Sequence, residues 1–446
     1  MRRARIGFWT GLALLALGCP SAFGQEGGAP PAISAGDTAW VLISTALVMF
    51  MTPGLAFFYG GLVRRKNVLS ILMQCFMILC LISVQWVVFG YSLAFGPDRF
   101  GLIGGLDHVW LRGVGAAPLP YAPTIPGYAF VMFQMMFAVI TPGLIIGAFA
   151  ERMKFPAFCV FSLLWATLVY DPVCHWVWGG GGFLGLSPGR LGALDFAGGI
   201  VVHITAGMSA LAAALLLGKR LGFPGKMSPP HNLPVAVLGA AMLWFGWFGF
   251  NAGSALQANG LAAGAFMVTH VSGAVAGLVW ALLDWFFTKR ATMLGVITGA
   301  VAGLAAVTPA AGFVGIPGAV GIGIGAGAIC WVSVMQLKNR LGYDDTLDAF
   351  GVHGIGGIWG TLAAGLWCTR AVNPLAPRDG FYLGGGLGQF FVQAQAVLLT
   401  GLYSFAVSFI LFRLVDRFLK IRVNEHEERV GLDLTQHREV GYTVID

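Results

Sequence analysis

Two histidines lie inside long apolar stretches of the sequence. His203 follows Asp195 in the segment Asp-Phe-Ala-Gly-Gly-Ile-Val-Val-His, and His353 follows Asp348 in Asp-Ala-Phe-Gly-Val-His-Gly-Ile-Gly-Gly. A polar side chain in hydrocarbon is costly and marks a functional pathway by default. Burial favours the neutral imidazole, which carries one hydrogen-bond donor and one acceptor. Two facing rings could therefore share a proton and offer a small neutral molecule a line of contacts.

The alternative is an intramembrane metal enzyme that uses His203, His353 and an aspartate. A catalytic zinc normally takes three protein ligands, and the sequence has no H-E-x-x-H motif. The seven cysteines are scattered without C-x-x-C spacing. We therefore expect a protein that is not an enzyme, with no catalytic residues, no metal site and no cofactor.

The composition is that of a membrane protein. Of the 446 residues, 57% are apolar and only 10% are charged, whereas about 25% are charged in a soluble domain. The apolar runs are about 20 residues long, enough for a helix to cross the hydrocarbon core. The 66 glycines fit close helix packing in lipid. The predicted fold class is an all-α integral membrane protein.

We predict eleven transmembrane helices, which form a channel domain over 37–414. They lie near 37–63, 67–95, 127–149, 156–178, 197–218, 233–256, 262–287, 292–308, 317–337, 349–368 and 390–414. The two Asp–His segments open the fifth and the tenth span, and an odd number of spans per repeat forces opposite orientations. This predicts an inverted 5+5 repeat with a midplane site, followed by one extra C-terminal helix.

The charges orient the spans. Eighteen of the 26 lysines and arginines fall in one set of alternate loops and in the C-terminal tail, against five in the opposite loops. The positive-inside rule then places the mature N-terminus outside and the C-terminus in the cytoplasm. This distribution also gives no nucleic-acid signal, because the basic residues cluster at the ends of apolar runs.

The two ends of the chain differ from the channel domain. Basic residues, an apolar stretch and small residues over 1–24 predict a cleavable signal peptide, and 25–36 is the outer N-terminal segment. The tail 415–446 is highly charged, then turns apolar after Gly431. It is either a docking segment or a solvated end.

Two features should position the histidines and the helices around them. Asp195 and Asp348 stand at helix starts, where a carboxylate accepts backbone N–H bonds and favours the helix dipole. We expect both to cap the His-bearing helices, and Asp195 to add a remote negative field. Pro142 in the third span should kink that helix.

The sequence resembles the ammonium transporter family, close to its bacterial and plant Amt branch. The similar segments are Met51–Asn67, Asp195–His203, Gly246–Ser254 and Asp348–Trp359. The resemblance runs from about residue 37 to the C-terminus. It implies a transporter of ammonium or ammonia in the bacterial inner membrane, with methylammonium as a further substrate. It also implies a homotrimer with one pore per subunit and a PII-type signalling protein at the cytoplasmic mouth.

The same resemblance implies roles for individual residues. Phe137 and Phe250 correspond to two stacked rings that close the outer pore. Trp178, Ser254 and the face of Phe137 correspond to the site that recruits the cation. His203 and His353 correspond to the pore-lining pair, and Asp195 to the structural acid beside it.

Two rival functions remain at this stage. A sensor would bind ammonium and signal through 415–446 or through a bound PII protein, with little transport. A Rhesus-type channel for ammonia or carbon dioxide is disfavoured, because Trp178 and Ser254 mark the Amt branch.

Overall fold

The computed structural model describes residues 32–225 and 228–442. The signal peptide expected at 1–24 lies outside the described residues. The described chain is mainly helical, with two short antiparallel strand pairs. The strands are β1 (Asp98–Arg99) with β2 (Ile103–Gly104), and β3 (Pro118–Leu119) with β4 (Ala122–Pro126).

Nine helices in the described part of the chain are long and apolar enough to cross a membrane. They are α1 (Ala35–Leu62), α2 (Arg65–Phe95), α3 (Gly127–Phe149), α4 (Phe155–Trp178), α5 (Gly199–Leu217), α6 (Leu233–Ala255), α7 (Gly260–Thr288), α9 (Ile316–Leu341) and α11 (Gly388–Leu419).

Shorter helices stand at the other two positions where spans are predicted. α8 (Met293–Val307) has 15 residues, about 22 Å at 1.5 Å per residue and so less than the hydrocarbon thickness. α10 consists of the wide turn Phe350–Gly354 followed by Ile355–Trp367. Helices therefore occupy all eleven predicted positions, and nine of them have the length and composition of a span.

Local sequence explains where several helices begin. The Ser34 hydroxyl accepts the backbone N–H of Asp37 at the start of α1, and Asn259 and Thr292 cap α7 and α8 in the same way. α3 continues as one helix through Pro142. The Thr141 hydroxyl donates to the Phe137 carbonyl at 2.6 Å within this helix.

The loops that join the helices on the face of Arg64, which the basic residues predict to be cytoplasmic, form a connected ion-pair network. Glu151 pairs with Arg64 at 3.0 Å and with Arg220 at 3.4 Å. Arg220 also pairs with Asp344 at 2.8 Å, which in turn lies 3.5 Å from the fully buried Arg152. These charges connect the loops after α1, α3, α5 and α9.

The tail packs back against this same face. The short helix α12 (Glu425–Val430) begins at a capping box formed by Asn424 and Glu427. Glu428 accepts the backbone N–H of Leu221 at 2.7 Å, and Asp433 accepts that of Ser70 at 2.8 Å. The described part of the tail, up to residue 442, therefore packs on the rest of the chain, and its use as a docking segment for a partner stays a prediction.

Candidate pore and substrate-binding site

A cavity of about 520 Å³ opens at the predicted outer face, within the range of small-molecule sites. It lies between the ends of α4 and α6 and the loop before α5. Its lining includes Gln134, Phe137, Trp178, Asp195 and Ser254. Three side chains for which the resemblance implied a common site therefore meet in one cavity.

The orientation of Trp178 is fixed on two sides. Its indole N–H donates to the backbone carbonyl of Asp195 at 2.8 Å. Its ring meets Phe137 edge to face, with centroids 6.0 Å apart and planes at 88°. The ring is half-buried, so one part packs and another part faces the cavity.

Ser254 presents an acceptor to the same cavity. Its hydroxyl donates to the Phe250 carbonyl at 2.9 Å, one helical turn earlier in α6. Because the single hydroxyl proton is used in that bond, the lone pairs of the oxygen remain for a donor. An aromatic face and a hydroxyl acceptor together suit a small cation that carries N–H groups.

Phe137 and Phe250 close the bottom of this cavity. Their ring centroids lie 4.4 Å apart with planes at 40°, and each side chain is 1% exposed. Beyond them lies a second cavity of only about 10 Å³, about the volume that one water-sized probe needs. Apart from His203 and His353, its lining residues are apolar or aromatic.

His203 and His353 face each other in this small cavity. Their ring centroids lie 5.3 Å apart and their planes differ by 12°. Trp247 stacks on His203 at 5.6 Å and 22°, a neighbour that the sequence did not suggest as a site residue. Nδ1 and Nε2 of His203 and Nδ1 of His353 have no hydrogen-bond partner in the described part of the chain.

Close backbone contact brings the two rings together. A Cβ added to Gly207 in α5 would lie 2.1 Å from the Cα of Gly354 in α10. No side chain fits there, so the two His-bearing helices cross at the minimum separation. Each histidine also lies in a wide π-helical turn, Gly199–Ile204 and Phe350–Gly354, a feature often found at functional sites.

Carboxylates hold the starts of both helices. Asp195 accepts four backbone N–H bonds, from Gly198, Gly199, Ile200 and Val201, at 2.6–3.0 Å. In the other half of the chain Asp345 accepts those of Ala349 and Phe350 at 3.1 and 2.8 Å. In both halves the fourth N–H after the aspartate binds Oδ1 and the fifth binds Oδ2.

The expectation that Asp348 caps α10 is wrong. Asp348 has a left-handed backbone, with φ at 61°, and its carboxylate pairs with Lys338. Asp345 stands eight residues before His353, as Asp195 stands eight before His203, whereas Asp348 stands only five before it. The capping aspartates are therefore related by the repeat, and Asp348 is not their counterpart.

A third cavity of about 430 Å³ lies on the predicted cytoplasmic side. His353 lines both this cavity and the small one, so the histidine pair borders the third cavity, while the Phe137–Phe250 contact separates it from the outer one. Asp284, Asp348 and Arg220 also line it. Among residues 32–225 and 228–442, no group of three or more His, Cys, Asp or Glu side chains could hold a metal ion.

Comparison with known proteins agrees with this arrangement. The model of the Ammonium Transporter Family matches residues 39–442. The chain belongs to this family. An ammonium transporter of Bacillus subtilis is 51% identical over 407 residues, which cover 91% of this chain and 98% of the relative. The ammonium transporter Amt1 of Archaeoglobus fulgidus is 47% identical over 412 residues, which cover 92% of this chain and 100% of the relative.

Solved structures of the ammonium transporter family share the fold. Saccharomyces cerevisiae Mep2 superimposes with a TM-score of 0.82 at 36% identity, covering 88% of each chain. A structure described as a sensor Amt protein has the same TM-score at 29% identity and covers 90% of this chain and 98% of its own. The helices and cavities described above thus belong to an integral membrane protein of a transporter family.

Proposed function

We propose that this ammonium transporter family member binds ammonium in the outer cavity and conducts ammonia past the two histidines, with or without a separately relayed proton. The observation that carries the proposal is the stacked His203–His353 pair, which lies between two larger cavities. Three of its ring nitrogens have no hydrogen-bond partner among the described residues. A buried polar atom without a partner costs about 1–3 kcal/mol. Each such atom calls for a physical reason, and a substrate with N–H groups and a lone pair supplies one for these nitrogens.

Recruitment begins at Trp178, Phe137 and Ser254. A cation against an aromatic face gains about 0.5–2 kcal/mol, and the free lone pairs of Ser254 accept one N–H bond. The amide oxygen of Gln134 lines the same cavity and is buried without a partner in the described residues. It offers a further acceptor that the sequence did not reveal.

The Phe137–Phe250 contact then separates ammonium from other cations. A charge at the centre of a membrane costs at least about 2.5–3.5 kcal/mol, more than the aromatic site returns. Potassium and sodium have no proton to release and stop at the rings. Ammonium can transfer one proton to water of the open outer cavity or to a ring nitrogen of His203, and enter the small cavity as ammonia, whose lone pair and N–H groups match the two imidazoles.

The membrane arrangement belongs to the same proposal. The protein has eleven spans in two inverted halves of five, with α11 added, and α8 and α10 cross as short helices packed inside the bundle. Matching Asp–His spacing, matching carboxylate bonds and matching wide turns in α5 and α10 support the repeat.

Replacing His203 with alanine tests this function in cells. We expect growth and uptake to be lost at low ammonium and acidic pH, where free ammonia is scarce. His270→Ala is the matched control, because His270 lies in α7 against Trp244 at 5.4 Å and lines none of these three cavities. Normal uptake by a folded His203→Ala protein would refute the relay.

A sensor is the second candidate function. The tail packs against the start of α2 and the loop after α5, which gives a route from the channel to a signalling surface. Flux through the purified protein in liposomes separates the candidates, since a sensor binds ammonium without transporting it at a useful rate.

A further inference from the structure

His175 makes two hydrogen bonds that a neutral imidazole cannot make together. It lies in the last turn of α4, three residues before Trp178, and is fully buried. Its Nδ1 is 2.9 Å from the carbonyl oxygen of Ala94, and its Nε2 is 2.9 Å from Oδ1 of Asp98. A carbonyl oxygen only accepts, and so does an ionised carboxylate. Neutral histidine has one N–H, whereas the imidazolium has two.

Two contacts that do not involve His175 favour the ionised form of Asp98. Burial opposes this, but the hydrogen bond from His175, the N–H of Gly101 and the charge of Arg190 outweigh it, so the pKa of Asp98 lies below its ordinary value. Gly101 donates to Oδ1 at 2.7 Å, and Arg190 lies 3.5 Å from Oδ2. An ionised Asp98 has no proton to give to a neutral His175.

We propose that His175 donates from both ring nitrogens and is a positioning residue, which fixes the end of α4 and with it Trp178 at the outer cavity. It donates to Ala94 at the end of α2 and to Asp98 in the loop that follows. Hydrogen bonds with an ionised partner are about twice as strong as neutral ones. Without the second proton, one of the two contacts becomes a repulsion between lone pairs.

The position of Trp178 depends on these contacts because the loop that contains Asp98 also binds the chain just before and just after Trp178. The indole N–H of Trp176 donates to the Leu102 carbonyl at 2.7 Å, and the backbone N–H of Phe183 donates to the Gly101 carbonyl at 3.1 Å. Gly179, which lines the cavity next to Trp178, packs directly on His175. A Cβ at Gly179 would lie 2.4 Å from Nδ1 of His175.

The protonation state is measured directly by nitrogen NMR of the full chain, labelled with ¹⁵N-histidine and reconstituted in lipid at neutral pH. The His175→Gln spectrum identifies the His175 signals by their loss. We expect two protonated ring nitrogens in the wild type. Asp98→Asn replaces the carboxylate with an amide donor, so His175 should become neutral with one protonated nitrogen. An unprotonated ring nitrogen on wild-type His175 overturns the proposal.

Transport kinetics test the positioning role, which rests on the proposed function. Asp98→Asn and His175→Gln should raise the half-saturating ammonium concentration about three- to tenfold, the effect of one lost hydrogen bond, while maximal uptake changes less. His108→Gln is the matched control in the same loop, where the imidazole ring has one hydrogen-bond partner in the described chain, the Arg112 carbonyl.

An unchanged half-saturation in both Asp98→Asn and His175→Gln refutes the positioning role. If the wild type carries no ammonium at all, the proposed function fails, and the NMR spectrum still decides the charge of His175. If His175→Gln does not fold, Asp98→Asn carries both measurements and the remaining histidines are assigned from other single variants.

Discussion

Replacing Asp195 with asparagine should destabilise the start of α5 severely. The carboxylate accepts Gly198 and Gly199 on Oδ1, and Ile200 and Val201 on Oδ2. Asparagine keeps one carbonyl oxygen and turns an NH₂ group toward the other two donors. Each buried donor left without an acceptor costs about 1–3 kcal/mol, so we expect a loss of about 2–6 kcal/mol.

The inverted repeat supplies an internal comparison. Asp345→Asn leaves only one N–H donor without an acceptor, because Asp345 binds Ala349 through Oδ1 and Phe350 through Oδ2. Its expected cost is about 1–3 kcal/mol, half that of Asp195→Asn. Asp107→Asn is the surface control: Asp107 forms an exposed ion pair with Arg99 at 3.7 Å, and such pairs contribute about 0–1 kcal/mol.

Thermal unfolding of the purified variants in one detergent, followed by tryptophan fluorescence, gives the order of stability. We expect the unfolding midpoint to fall most for Asp195→Asn, less for Asp345→Asn and least for Asp107→Asn. Ammonium uptake should also fall in Asp195→Asn. The backbone N–H of His203 donates to the Gly198 carbonyl at 2.9 Å, in the turn that the Asp195 carboxylate holds, so the variant should displace His203. An Asp195→Asn protein with wild-type midpoint and uptake would refute this reasoning.

Two further predictions concern the outer site and the predicted cytoplasmic loops. Ser254→Ala should raise the half-saturating ammonium concentration about two- to tenfold in uptake assays, since one acceptor is lost; Ser187→Ala, at the exposed edge of the same cavity, should not, and equal effects would exclude a specific role for Ser254. The pKa of Glu151 lies below the ordinary value of 4.5, because Arg64 and Arg220 outweigh the opposing effect of burial. The contribution of ionised Glu151 to the stability of the folded protein is therefore present above pH 4.5, and it is lost as the pH falls below this value through the pKa of Glu151 in the folded state. The unfolding midpoint of Glu151→Gln should be lower than that of the wild type at neutral pH and converge with it in acid; a difference independent of pH would contradict this.

The sequence predicted the positions of the helices and the pairing of the histidines. Apolar runs, basic loops and two Asp–His segments are local patterns that can be read from the sequence. Because the rise per helical residue is known, the number of residues from the start of a span gives the depth of each histidine in the membrane. The misassigned cap shows the limit of this reasoning. The eight-residue spacing shared by Asp195–His203 and Asp345–His353 was present in the sequence, but the nearer Asp348 drew the comparison.

Other parts of the site could not be predicted from the sequence, because they depend on contacts between distant segments. Trp247 stacks on His203, and Gln134 reaches the outer cavity, only once α3, α5 and α6 are packed. The contacts of the His175 ring with Ala94 and Asp98 likewise need the loop at Asp98 folded over α4. The signal peptide, the homotrimer, the PII-type partner and the orientation of the termini stay predictions.

The central claim is that ammonium passes through the His203–His353 pair and that other monovalent cations do not. Uptake of ¹⁵N-ammonium into liposomes with the purified protein, at acidic pH and against protein-free liposomes, tests it whether or not net charge moves. We expect uptake well above background for the wild type and His270→Ala, background uptake for His203→Ala, and no uptake of rubidium as a potassium tracer. Equal ammonium uptake by folded His203→Ala, or rubidium uptake comparable with that of ammonium, would contradict the account.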